Sequence, residues 1–212
     1  MPGLFLVIEG PEGAGKSTLA RGVARRLAAA GMPPVEVREP GGTPVAEAAR
    51  AAFLDPALDA TPLAELFLVL AARADLVARV IRPALAAGTP VVCDRYDLST
   101  TAYQVAGRGL DAAAVGAANR LATGGLAPDV TLVLDVPAAV GRARQAADGK
   151  VADRLERADP GFHERVAAAF RAATGPGLVH LDGTAPADAV EAAAWQAVRE
   201  RCGKHLTPER VE

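Results

Sequence analysis

Two short stretches carry the residue types that handle phosphate. The first is Gly10-Pro11-Glu12-Gly13-Ala14-Gly15-Lys16-Ser17-Thr18, a GxxxxGK[ST] pattern between the apolar run Leu4–Ile8 and a helical pattern opening at Lys16. Glycines let this backbone curl so that its N–H groups face an anion, and the start of the helix adds the positive end of its dipole. Lys16 then reaches the outer phosphates of a nucleoside triphosphate, and the Ser17 hydroxyl is placed for Mg²⁺. The second stretch is Asp94-Arg95-Tyr96, directly after the apolar run Pro90–Cys93. An acid there suits support of the metal. An arginine beside it suits a second phosphate, because a guanidinium pairs with two phosphate oxygens at once.

The elements that must position these residues read as strands alternating with helices. Apolar runs with little alternation lie at 4–9, 35–38, 90–93, 130–136 and 178–181. Helical patterns lie at 16–30, 45–53, 62–87, 111–123, 137–146, 160–173 and 186–201. That order predicts an α/β fold in one domain over 1–212, a five-stranded parallel sheet with helices on both faces. Ligands in such sheets gather beyond the C-terminal ends of the strands. The predicted ends carry Glu9, Arg38-Glu39, Asp94-Arg95 and Asp135, all expected on the edge that holds the glycine-rich loop. The polar stretch 146–157, with Gly149, interrupts two helical patterns and reads as a mobile lid.

Composition removes several classes. Half the residues are apolar, mean hydropathy is +0.17 and net charge is −2, so there is no global attraction to nucleic acid or to an anionic membrane. Cys93 and Cys202 stand far apart in no CxxC pattern, which argues against zinc or a disulfide framework and leaves Cys93 as a core residue. The chain opens without a basic, cleavable apolar leader and has no apolar stretch long enough to span a bilayer, so a cytoplasmic setting is expected. His163, His180 and His205 share no metal-ligand spacing and read as surface or helix-end residues, and the tail from Gly203 is expected to fray.

The chain resembles the thymidylate kinases, nucleoside-monophosphate kinases of the P-loop class. Four separated stretches carry the likeness: Ile8–Thr18; Arg38-Glu39-Pro40-Gly41-Gly42-Thr43; Asp94–Gln104 with Gly107-Arg108-Gly109; and Asp153-Arg154-Leu155-Glu156. The resemblance implies a P-loop kinase fold and transfer of the γ-phosphoryl of ATP to thymidylate (dTMP), with Mg²⁺. A kinase for another (deoxy)nucleoside monophosphate such as dUMP is the nearest alternative, and a nucleotide-hydrolysing switch is the alternative of another class. No Asn-Lys-x-Asp guanine motif is present to favour the switch.

Roles follow by resemblance. Gly10, Pro11, Glu12, Gly13, Ala14, Gly15, Lys16, Ser17 and Thr18 would hold ATP, with Ser17 and Asp94 at the metal. Arg95 would lie between donor and acceptor phosphates, and Arg50 on the acceptor side. Glu12 would meet the sugar 3′-hydroxyl, Tyr103 would pack on the sugar, and Arg73, Thr100 and Gln104 would serve the base. The phosphate loop has no arginine of its own, so the bacterial arrangement is implied, with Arg154 as the catalytic lid cation and Arg144 and Lys150 as helpers. The family's base-stacking phenylalanine, four residues before the helix arginine, is Val69 here, and Phe67 lies about 120° round the helix from Arg73. An aliphatic base pocket is therefore expected. A homodimer is implied by the family.

Overall fold

The computed structural model describes residues 3–147 and 153–206, with side chains to Gly203. Five strands, β1 (Phe5–Glu9), β2 (Val35–Arg38), β3 (Val91–Asp94), β4 (Val130–Asp135) and β5 (Leu178–Asp182), form one sheet in the order β2-β3-β1-β4-β5. Every pairing is parallel. The continuous apolar runs have the expected cause: all five β1 residues are buried, because helices cover both sheet faces. Period two then divides the core. Leu4, Leu6 and Ile8 pack with α1 (Lys16–Ala29) and α9 (Ala187–Leu206) on one face. Phe5 and Val7 pack on the other with Leu76, Val77 and Ile81.

The remaining helices are α2 (Pro44–Leu54), α3 (Pro62–Leu76), α4 (Arg82–Ala86), α5 (Asp97–Thr100), α6 (Ala112–Thr123), α7 (Ala138–Ala147) and α8 (Pro160–Ala172). Side-chain oxygens of Thr43, Thr61, Asp111 and Asp159 cap α2, α3, α6 and α8. The helix start at Gly15 has no side-chain cap and no acid in its first turn.

Two departures from the sequence reading have separate causes. The helix read over 62–87 is interrupted by a π-helical turn, Val77–Ile81, just before Pro83, whose ring and missing N–H disrupt the regular ladder. A second π-helical stretch, Thr101–Gly107, continues α5 where no helix was expected, since threonines and valine dilute the helical signal there. Helix α9 runs past Gly203 to Leu206, with a break in helical geometry at Cys202; residues 207–212 of the tail expected to fray lie outside the described residues. Of the expected lid, 148–152 lie outside them too, Lys150 included. Among the described residues no helix is long and apolar enough to cross a membrane.

Candidate active site

The strand register brings the chemistry to one edge. Ile8 and Arg38 both pair with Asp94, and Glu9 pairs with Val133. The glycine-rich loop turns back over this edge into α1. Gly15 has φ +93° with open space around it, so glycine serves the backbone there. At Gly13, φ is +68° and an added Cβ would lie 2.1 Å from the Gly141 carbonyl oxygen. Gly141, on α7, is held to the same standard by the Glu12 carbonyl, at 2.2 Å. The helix leading into the lid is thus seated directly on the phosphate loop.

Loop and strand ends line one cleft of about 1200 Å³. It collects Lys16, Ser17, Thr18, Arg50, Val69, Arg73, Asp94, Arg95, Thr100, Tyr103 and Gln104, which the sequence scattered over ninety residues. Lys16 Nζ donates to the Pro11 carbonyl at 2.7 Å, and burial, then the charge of Arg95, lower its pKa to about 8. Ser17 Oγ donates to Asp94 Oδ2 at 2.5 Å. Arg95 NH2 pairs with Glu12 Oε1 at 2.6 Å, and its NH1 donates to the Gly10 carbonyl and to Ser99 Oγ, each at 3.2 Å. Burial would raise the Glu12 carboxyl, but Arg95, Lys16 and the Tyr103 hydroxyl hold it down to about 2. Tyr103 donates to Glu12 at 3.0 Å and lies under the Arg95 guanidinium. Arg50 NH1 donates to the Pro40 carbonyl at 2.9 Å.

Glu9 is fully buried beneath this group. It accepts from the backbone N–H groups of Tyr96 and Ser99 at 2.8 and 3.0 Å and from Ser99 Oγ at 2.6 Å. Burial pushes its carboxyl up to about 7, against the pull of Ser99 and Arg95. Arg95 itself has φ +73°, a left-handed conformation that costs a non-glycine residue about 1–2 kcal/mol.

Arg73 is 1% exposed, and its donors are engaged. Glu39 Oε2 takes Nε and pairs with NH2 at 2.7 Å, Thr100 and Asn119 take NH1 at 2.8 and 2.5 Å, and the Tyr96 carbonyl takes NH2 at 2.8 Å. Glu39 Oε1 and Gln104 Nε2, both buried, have no partner among the described residues. Glu39 and Asn119 had no motif beyond the family stretch or helix in which they sit.

Four expectations change. Arg154 does not stand at the phosphate loop: it donates twice to the Phe53 carbonyl, at 3.0 and 2.8 Å, and pairs with Glu65, which is 1% exposed and also takes both arms of Arg108. The lid-side arginine against the loop is Arg144, which donates to the Gly183 carbonyl at 2.9 Å and approaches that of Gly13 at 3.5 Å. Asp135 does not join the cleft; its carboxylate meets His180 at 3.0 Å, because β4 runs two residues beyond the register of Glu9. His163 is buried against Phe162, not at the surface. The wall expected to receive the base is not purely aliphatic either. Phe53 of α2 lines the cleft and shares a packed cluster with Val69 and Tyr103, while Phe67 is 59% exposed.

The sequence matches the family model described as thymidylate kinase over residues 8–194. It is 47% identical over 202 residues to a thymidylate kinase of Deinococcus radiodurans, covering 94% of this chain and 98% of that one. It is 50% identical over 179 residues to one of Pseudomonas fluorescens, covering 83% and 85%, and 46% identical over 209 residues to one of Pseudomonas entomophila, covering 95% and 99%. A five-stranded parallel sheet with its glycine-rich loop, a second arginine-lined wall and near full-length likeness lead to one conclusion: the chain belongs to the thymidylate kinase family, enzymes that use ATP to phosphorylate dTMP to dTDP.

Proposed function

We propose that the cleft carries out this transfer with the following division of labour. The loop amides, Lys16 and Thr18 bind the ATP phosphates at the uncapped start of α1. Lys16 exchanges the Pro11 carbonyl for a phosphate oxygen. Ser17 and Asp94 fit Mg²⁺: they offer hard oxygens side by side, and among the described residues no cluster of three metal-binding side chains exists. Mg²⁺ is suited by one or two protein oxygens plus substrate phosphates, and it neutralises charge on those phosphates when bound. Arg50 and Arg95 hold the acceptor phosphate, whose oxygen attacks without needing a general base.

Glu12, kept ionised by its cationic neighbours, and Tyr103 receive the sugar. Thr100, Gln104 and Arg73 stand at the base edge, with Gln104 Nε2 as the uncommitted donor. Val69 and Phe53 form the base wall. On the lid side, Arg144 already lies against the loop, whereas Arg154 reaches it only by giving up Phe53 and Glu65.

The observation that carries this reading is Arg95, held to the phosphate loop through Gly10 and Glu12 while its guanidinium lies over the Tyr103 ring on the facing side of the cleft. A wall of arginines facing a phosphate loop suits a second phosphate better than water. Measuring ADP release from MgATP with dTMP, dUMP, dCMP or no acceptor tests it. Strong dependence on dTMP is expected; acceptor-independent release would make the protein a hydrolase. We further propose a cytoplasmic homodimer. Leu63 and Phe67, one turn apart on α3, are exposed apolar residues between the neighbouring helices α2 and α6, which expose Val45 and Leu121. Sedimentation of Phe67→Glu, expected to shift the protein toward monomer, checks that face.

A further inference from the structure

We infer that Ser99, itself fixed by the buried carboxylate of Glu9, is a positioning residue that aims the Arg95 guanidinium; the inference rests on the proposed role of Arg95 between the two phosphates. Neither Ser99 nor Glu9 has a part in the transfer as described above.

The geometry divides the work between the two carboxylate oxygens of Glu9. Oε1 takes the backbone N–H groups of Tyr96 and Ser99, on either side of α5's first turn. This clamp follows directly after Arg95, whose left-handed backbone would otherwise relax to an extended or helical form. Oε2 takes the single proton of the Ser99 hydroxyl at 2.6 Å. With that proton committed, Ser99 can offer Arg95 only lone pairs, and it accepts from NH1 at 3.2 Å. The Gly10 carbonyl accepts from the same NH1, also at 3.2 Å.

One arm of the guanidinium is therefore tethered by two neutral acceptors. The other arm, NH2, pairs with Glu12, the carboxylate assigned to the sugar. When an acceptor nucleotide competes for Glu12, the tethered arm keeps the planar group in place and leaves NH2 and Nε to face phosphate. A hydroxyl free to rotate would give no such orientation. All of this is set at β1 and α5, without any contact between Glu9 and the substrates.

Steady-state kinetics of Ser99→Ala and Ser99→Thr, each in the wild-type and the Arg95→Lys backgrounds, test the inference. In the wild-type background Ser99→Ala is expected to lower kcat/KM for dTMP about tenfold, with the ATP KM held within about twofold. Ser99→Thr, which keeps the hydroxyl, is expected to retain activity within about threefold. In the Arg95→Lys background, where no NH1 remains to tether, Ser99→Ala is expected to have less than about a twofold effect. Equal losses in both backgrounds, or parallel losses for ATP and dTMP with a falling Tm, would assign Ser99 a merely structural role. Arg95→Lys with unchanged dTMP kinetics would instead overturn the role of Arg95 on which the inference stands.

Discussion

The phosphate-loop rim and the Arg73 network use the same residue types in opposite ways. At the rim Lys16, Arg95, Ser17 and Asp94 have partners that a ligand can replace: Lys16 has a carbonyl, one arm of Arg95 has Glu12, and Ser17 and Asp94 have each other. Around Arg73 the partners are Glu39, Thr100, Asn119 and the Tyr96 carbonyl, and nothing there is exposed enough to exchange cheaply. The Glu65–Arg108–Arg154 cluster is of this second kind. Under the proposed roles, the difference separates groups that meet the reacting phosphates from groups that hold the frame and the base edge beside them. Charge alone does not tell the two apart; the replaceability of the partner does.

The comparison breaks most visibly at Lys16. Lys16→Ala is expected to lower kcat by on the order of 10³-fold, about 4 kcal/mol of barrier, because in its proposed role its positive charge meets the ATP phosphates, and here it is held by a backbone carbonyl. Its Tm should stay close to wild type. Arg73→Met should behave the other way. It leaves Glu39, whose carboxyl burial already pushes above its ordinary value, buried without its counter-charge, which costs roughly 3–4 kcal/mol of stability. Chemical denaturation checks this, and a fully stable Arg73→Met with lost activity would move Arg73 to the exchangeable class.

A carboxylate without an arginine clamp sharpens the same contrast. Glu9 titrates near 7 in the fold and near 4.5 when unfolded, since burial outweighs its hydrogen bonds. The folded state then binds more protons than the unfolded state between these values. Stability should fall as pH rises from about 4.5 to about 7 and level off above, by roughly 3 kcal/mol from this group. Glu9→Gln should remove that slope, measured as the difference in unfolding free energy across the window. An unchanged slope would mean that other groups set it.

Much of the frame was legible because its causes are local. Strands buried on two faces write continuous apolar runs, and the phosphate loop writes its glycines, lysine and hydroxyl within nine residues. The Asp94-Arg95 pair and family likeness named the residues that the fold gathers opposite the phosphate loop in one cleft. What escaped depends on contacts that join distant segments. Arg154 meets Glu65 across 89 positions, so its motif could not show that its charge was already committed. Asp135 ends an apolar strand like Asp94 does, yet a two-residue overrun takes it to His180. Phe53 carried no signal at all, being one apolar residue among many on an amphipathic helix.

Phe53 also yields the smallest and most discriminating test. The position that matches the family's stacking phenylalanine holds Val69, and the aromatic ring packed beside it in the cleft, Phe53, comes from α2 instead of α3. The ring has a guanidinium, that of Arg154, 5.5 Å from its centre, and the carbonyl of the same residue holds that arginine. If the wall has moved from one helix to the other, Phe53→Leu should raise the dTMP KM about fivefold, near 1 kcal/mol of aromatic contact, and leave the ATP KM alone. Val69→Phe should restore most of the loss in that background, because either helix can then supply the ring. Additive losses in the double variant would show that Phe53 only packs the lid base, and that the base is held by its hydrogen-bonding edge.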